Sequence, residues 1–213
     1  MIIYNPSDGE TFTSSITLKP RHCFLMTRLG NPIPQGVENI RTALSHIATD
    51  YEYSIIDASI QVTGRDFLIK IWKLIAASPL AVGVVHEDIP PTSQSNIYYE
   101  LGVAQAMGKE TLIIKSPEAE IPSDFVRTEY ITFNDSFERN MRRFFSQMFD
   151  MADHYETIAD QLDRNPLLAI DYLKRAFLIN GNPNLRAKVK AVIDGARLEE
   201  RAKNSVELLS AVF

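Results

Sequence analysis

Short apolar runs alternate with amphipathic helical segments over residues 22–135, and this alternation restricts the fold more than any other feature. The clearest run, LAVGVVHE at 80–87, is almost uninterrupted, which is typical of a strand covered on both faces. Similar runs predict four more strands, at 22–27, 53–59, 111–115 and 130–133. Helical spacing predicts helices between them at 37–49, 65–77 and 96–109.

Strands that alternate with helices form a parallel sheet with right-handed crossovers and helices on both faces. We therefore predict an α/β fold: a flavodoxin-like, doubly wound sheet of five parallel strands with a C-terminal helical appendage. Ligands bind such sheets in the crevice at the carboxyl ends of the strands. Strand signals stop near Ser136, so the predicted domains are an N-terminal arm at 1–20, the α/β domain at 21–135 and an α-helical region at 136–213.

Composition narrows the class of function. The chain of 213 residues has a net charge of −5 and no strong basic patch, which argues against a nucleic-acid polymer as partner. No apolar run approaches the roughly 20 residues that span a bilayer, so we expect no membrane partner. One cysteine, Cys23, permits no internal disulfide, and the first residues do not form a signal peptide. These features predict a soluble cytoplasmic protein.

Glu100 falls on the apolar side of the helix predicted at 96–109. At helical spacing it shares an arc with Ile97, Leu101 and Ala104, so the pattern turns this carboxylate toward the sheet. Carboxylates are rarely buried without a partner, because removing the charge from water is costly. With Asn96 as the helix cap, Glu100 would lie near the first turn, where the helix dipole favours negative charge. The alternatives are a side chain that bends into solvent or pairs with a structural arginine.

The segment SNIYYELGVA at 95–104, followed by Gly108-Lys109 and the strand TLIIK, resembles a known signature. It is similar to that of the nucleoside 2-deoxyribosyltransferase-like proteins and the related bacterial TIR-like nucleotide-binding domains. The upstream segments CFLMTRLG and SIIDAS also match, so the resemblance covers roughly residues 21–133.

This resemblance implies a flavodoxin-like fold and chemistry at N-glycosidic bonds, as transferase or hydrolase. In the transferases the signature glutamate attacks the anomeric carbon, and in TIR domains that hydrolyse NAD a glutamate supports loss of nicotinamide. Glu100 is the matching residue and the predicted catalytic group. A carboxylate suits this role because breaking the C–N bond builds positive charge on the sugar. The resemblance implies no cofactor, with NAD as a candidate substrate.

The loop after the first strand departs from the family. The transferases have a tyrosine there, whereas this chain has Thr27-Arg28-Leu29-Gly30. Arg28, with Gly30 beside it, suggests a bidentate contact to an anionic group such as phosphate, which favours a nucleotide over a free nucleoside. A surface arginine at a strand end is the alternative.

Further candidates for substrate binding follow the other strands. Asp57 could hold a ribose hydroxyl or form an Asx turn with Ser59. His86 and Asp88 could assist the departing base, although a histidine at a strand end often has no such role. Asn96 could touch a ligand as well as cap its helix. No zinc, Walker or GxSxG motif occurs, so we expect no metal.

Three functions remain open at this point. One is an enzyme that cleaves or transfers N-glycosidic bonds of a nucleoside, nucleotide or NAD. Another is a non-catalytic nucleotide-binding sensor or effector that assembles through its helical tail, and a scaffold with a relic site is a third possibility. Under each of them the expected partners are a small-molecule nucleotide or nucleoside and further copies of the chain, as a homo-oligomer.

Overall fold

The structure, a computed structural model, describes residues 16–30, 32–58, 67–125, 128–162 and 164–195. The chain divides into two compact units: His22–Ser146, and the residues up to Arg21 together with those from Gln147 onward. Predictions made for residues 1–15, 59–66 and 196–213 lie outside the described residues.

The first unit contains the predicted sheet of five parallel strands, in the order β2-β1-β3-β4-β5. This is the flavodoxin order, so the predicted fold class is confirmed. The strands are β1 (His22–Met26), β2 (Ser54–Asp57), β3 (Leu80–Val85), β4 (Glu110–Lys115) and β5 (Tyr130–Thr132).

The helices of this unit are α1 (Gln35–Asp50), α2 (Phe67–Ala77), α3 (Pro91–Ala106) and the first turns of α4 (Phe137–Asp160). The chain moves from β1 outward to β2 and then back past β1 to β3. Right-handed crossovers therefore place α1 on one face of the sheet and α2 and α3 on the other.

The core is tightly filled on both faces of the sheet. All six residues of β3 are buried, and the Cys23 thiol on β1 is fully enclosed, so burial raises its pKa. A Cβ added to Gly83 would lie 2.7 Å from Leu101 and 3.0 Å from Ile97, both on α3. The side chains of Leu101 and Ile97 therefore lie directly against the backbone of β3 at this glycine.

From Gln147 onward the described residues of the second unit are mainly helical, whereas residues 16–21 have no regular secondary structure. This unit contains the later turns of α4, α5 (Pro166–Asn180) and α6 (Asn184–Gly195). Asn165 caps α5 through a bond from the Leu168 N–H, Pro166 occupies its first turn, and Gly181 ends it in the left-handed conformation. Asparagine, proline and glycine are the residues that favour these three positions of a helix.

The start of α3 corrects one prediction. The helix begins at Pro91, five residues before the predicted cap Asn96, and Pro90 is its N-cap residue. Proline suits the first helical turn, and Gln94 Nε2 donates to the carbonyls of His86 and Ile89, which fixes the incoming loop. The polar residues 92–95 therefore form a helical turn rather than a loop.

Candidate functional site

Glu100 is the tenth residue of α3, and its side chain is half-buried. Its neighbours Ile97, Leu101 and Ala104 are buried, so the helix does turn this carboxylate away from open solvent. Glu100 makes no hydrogen bond or ion pair in the part of the chain that the structure describes. Burial alone raises its pKa to about 7.

A carboxyl group with a pKa near 7 is present in both protonation states at neutral pH. The ionised form can stabilise or attack a cationic carbon, and the protonated form can donate to a leaving group. General acids and bases work best with a pKa close to the working pH. Glu100 therefore has the electrostatic properties of a reactive carboxyl group.

The environment of Glu100 differs from the prediction in two respects. Glu100 lies about 14 Å along the helix from Pro91, beyond the reach of the N-terminal dipole, and burial opposes its ionisation. It also lies level with Gly83, about 7 Å before the carboxyl end of β3. The helix end therefore neither keeps this carboxylate ionised nor places it at the edge of the sheet.

Asp57 occupies the carboxyl end of β2 and is held by α1. Its Oδ2 accepts a hydrogen bond from Arg41 Nη2 at 2.7 Å, and the aspartate side chain is only 9 % exposed. Arg41 also lies 3.9 Å from Glu38 in the same helix. A ribose hydroxyl would have to compete with this buried ion pair for Asp57.

His86 follows β3 and lies against the first turn of α1. Its Nδ1 accepts a hydrogen bond from the Asp88 N–H at 3.2 Å. A Cβ added to Gly36 would lie 2.1 Å from His86 Nε2, so the imidazole fills the space left by this glycine. The carboxylates of Glu87 and Asp88 each lie 3.5 Å from Nδ1, and Glu87 also accepts a hydrogen bond from Ser116.

The remaining predicted residues are more accessible. Asn96 is exposed one turn before Glu100, and Asp88 is exposed at the carboxyl edge. Arg28 is half-buried after β1 and makes no ion pair with any residue within the described ranges. Gly30 is exposed with a φ of +91°, a conformation that favours glycine.

The predicted residues separate onto two faces of the sheet. Asp57 is aligned with Leu25, and Leu25 with Val82, so these three side chains share the face that carries α1. Gly83 points the other way, toward α3 and Glu100. Asp57 and His86 therefore lie on the α1 face, and Glu100 belongs to the α3 face.

Three residues near the carboxyl edge were missed from the sequence. Arg41 borders the apolar arc of α1, a position that could have signalled an inward ion pair. Gly36 gave no signal, because its contact with His86 depends on the tertiary fold. Thr27 directly follows β1, and its buried hydroxyl has no hydrogen-bond partner among the described residues.

Other side chains that could contact a nucleotide are mostly engaged elsewhere. Tyr98 packs on Phe125 with ring centroids 5.0 Å apart, while its neighbour Tyr99 is exposed. Lys115 Nζ donates to three backbone carbonyls, among them that of Ala119 at 2.7 Å. Arg127 and the Gly64–Asp66 segment lie outside the described residues.

Neither a metal centre nor a membrane span is found within the described ranges. No group of three or more His, Cys, Asp or Glu side chains there is arranged to hold a metal ion. No helix in those ranges is both long enough and apolar enough to cross a bilayer.

Comparison with known proteins gives a distant similarity of fold. No family model and no curated protein matches the chain. Among solved structures, the chain is similar to a 2-deoxyribosyltransferase from the psychrotolerant bacterium Bacillus psychrosaccharolyticus. The match is 11% identical, covers 57% of this chain and 90% of that chain, and has a TM-score of 0.44. It concerns the arrangement of the backbone and assigns no role to any residue.

Proposed function

We propose that this protein cleaves or transfers the N-glycosidic bond of a nucleoside, nucleotide or NAD, with Glu100 as the catalytic group. The observation that carries the proposal is an inward carboxyl group without a hydrogen-bond or ion-pair partner among the described residues. Retaining a desolvated carboxyl group in this state has a cost in folding free energy, which a purely structural residue would avoid by pairing. The similarity of Glu100 to the signature glutamate of the transferases points to the same chemistry.

In the proposed reaction the C1′–N bond breaks and its electron pair leaves with the base. A purine or pyrimidine base takes up a proton from water or from the protonated form of Glu100, whereas nicotinamide leaves NAD as a neutral molecule and needs none. The positive charge that develops on the sugar is stabilised by the ionised form of Glu100 or captured by it as an ester. Water or a second base then attacks the anomeric carbon, which gives hydrolysis or transfer.

The alternative is a module that binds a nucleotide without cleaving it. The loop at Arg28, which departs from the pattern of the transferases, favours this alternative. Assembly through the helical tail, a cytoplasmic location and the TIR-like assignment stay predictions for both functions.

The test is incubation of the full chain with NAD, nucleoside 5′-monophosphates and nucleosides, with chromatography for the released base. We expect release by the wild type, a loss of at least about a thousandfold in Glu100→Gln, and no loss in the exposed control Glu118→Gln. Equal release by wild type and Glu100→Gln would exclude Glu100 as the catalytic group. Calorimetric binding of a nucleotide without release of base would establish the alternative.

A further inference from the structure

The second unit contains an open groove between the end of α4, the first half of α5 and α6. Its cavity of about 450 Å³ lies within the range of roughly 300–1,000 Å³ that is common for binding sites. Of the ten described residues that line it, eight are apolar or glycine. Leu162, Pro166 and Val192 are only half-buried, so part of their apolar surface is accessible from the groove.

The two charged residues that line this groove, Asp160 and Lys188, form an ion pair with each other. Lys188 Nζ lies 3.0 Å from Asp160 Oδ2 and also 2.7 Å from Glu156 Oε1. The ammonium group therefore has carboxylate partners already and does not require a charged ligand. What the groove offers to a ligand is apolar surface, and removing such surface from water is favourable. The lining therefore favours an apolar occupant.

A suitable apolar segment follows in the same chain. Residues 204–213 read NSVELLSAVF, with Val206, Leu209 and Phe213 at the spacing i, i+3, i+7. Amphipathic helices that bind in apolar grooves carry their anchor residues at this spacing. At helical spacing Asn204 falls on the opposite face. We propose that the groove between α4, α5 and α6 binds residues 204–213 of the same chain as an amphipathic helix.

The short connection to the groove favours this segment over a separate partner. Gly195 ends α6 and itself lines the groove, and only the eight residues 196–203 separate it from the segment. A flexible connection of that length has a root-mean-square span of roughly 15 Å. The part of α6 that lines the groove, from Lys188 to Gly195, is about 10 Å long, so the connection is long enough.

A tethered segment also has a concentration advantage over a second copy of the chain. Short flexible connections give effective concentrations in the millimolar range, which free chains reach only in very concentrated solution. The segment of the same chain therefore occupies the groove first. This inference concerns the second unit alone and does not rest on the proposed function.

The experiment is NMR on the full chain with ¹³C-labelled leucine and valine methyl groups, without any ligand. We expect nuclear Overhauser effects (NOEs) from Leu209 and Phe213 to the methyl groups of Leu162, Leu173 and Val192. A second sample, which mixes labelled and unlabelled chains, separates contacts within a chain from contacts between chains. We expect the NOEs within one chain only.

The decisive variant is Leu209→Glu, which places a charge where the proposal requires an apolar anchor. We expect the NOEs from Phe213 to the groove to weaken by at least about tenfold, because the charged side chain opposes burial. The control Asn204→Glu adds the same charge on the opposite face and should keep the wild-type NOEs. Neither substitution alters a residue of the groove, and unchanged methyl shifts of the buried Leu185 on α6 verify its fold.

The proposal is wrong if the wild type shows no NOEs between the segment and the groove, or if Leu209→Glu keeps them. NOEs that arise only between different chains would also overturn it, because the groove would then bind a second copy. No substrate is present in these samples, so failure here and failure of the glycosidic reaction are separate results.

Discussion

Asp57 and Glu100 are two carboxyl groups withdrawn from water on opposite faces of one sheet. Asp57 accepts a hydrogen bond from Arg41 at 2.7 Å, whereas Glu100 has neither a hydrogen bond nor an ion pair within the described ranges. A paired carboxylate contributes to folding, because its charge is compensated in the native state. An unpaired one costs stability and keeps its reactivity. Under the proposed function, the paired Asp57 has a structural role and the unpaired Glu100 a chemical one, and each prediction below tests this difference.

The largest effect is expected from breaking the ion pair. Asp57→Asn leaves Arg41 partly buried beside a neutral amide, and we expect a loss of about 2–3 kcal/mol in the free energy of unfolding. Urea titration at neutral pH measures it, with fluorescence of the single tryptophan, Trp72 on α2, as the probe. The exposed control Asp135→Asn should be neutral. An unchanged urea midpoint in Asp57→Asn would show that the ion pair does not stabilise the fold, and the contrast between Asp57 and Glu100 would then be wrong.

Glu100→Gln is expected to change the free energy of unfolding in the opposite direction, toward higher stability. Burial raises the pKa of Glu100 to about 7, so between its ordinary value of 4.5 and 7 the folded chain holds a proton that the unfolded chain has released. The free energy of unfolding therefore falls as pH rises through this window and stays level above it. Glutamine cannot ionise, so we expect Glu100→Gln to be more stable than wild type by about 2 kcal/mol near pH 8 and equal near pH 4.

The same urea titrations at the two pH values measure this gain. Glu118→Gln, on an exposed loop, should match wild type at both. A loss of stability at the higher pH in Glu100→Gln would mean that the carboxylate has a native partner.

The two residues also differ in how far the sequence could predict them. The alternation of strands and helices and the inward turn of Glu100 both follow from local patterns. Continuous apolar runs mark the strands, and the apolar residues around Glu100 repeat at helical spacing. The start of α3 was missed, since Asn96 is a good cap and the residues before it are polar. That error moved Glu100 from the third turn to the first and so suggested a stabilising dipole that the structure lacks.

The environment of Asp57 could not be predicted in this way. Arg41 lies sixteen residues away and meets Asp57 only after α1 packs on the sheet. The contact between His86 and Gly36 likewise joins the end of β3 to the start of α1. Periodicity indicates which face a residue occupies, but partners that are distant in sequence depend on how elements pack.

A smaller effect, the coupling energy between Arg41 and Asp57, should show whether these two residues stabilise each other or only lie close together. In a double-mutant cycle of Arg41→Gln and Asp57→Asn, we expect the two losses to overlap by about 1–2 kcal/mol, because each single change already breaks the ion pair. Urea titration of the four proteins gives this coupling energy. A parallel cycle of Arg41→Gln with Glu100→Gln should be additive, since these side chains lie on different faces. Additive losses in the first cycle would show that the Arg41–Asp57 contact contributes nothing to stability.

The smallest expected effect is a change in the pKa of Glu100 when a substitution gives this carboxyl group a partner. Asn96 is exposed one turn before it, and a lysine four residues away on a helix attracts a carboxylate by a few tenths of a kcal/mol. We therefore expect Asn96→Lys to lower the pKa of Glu100 by about 0.2–0.4 unit, measured from the ¹³C shift of its carboxyl group. The control Thr92→Lys places the same charge two turns away, where salt screens most of its effect. Equal shifts in both variants would indicate a general change in charge, and only a shift specific to Asn96→Lys would mean that Glu100 can accept a cation as a new partner.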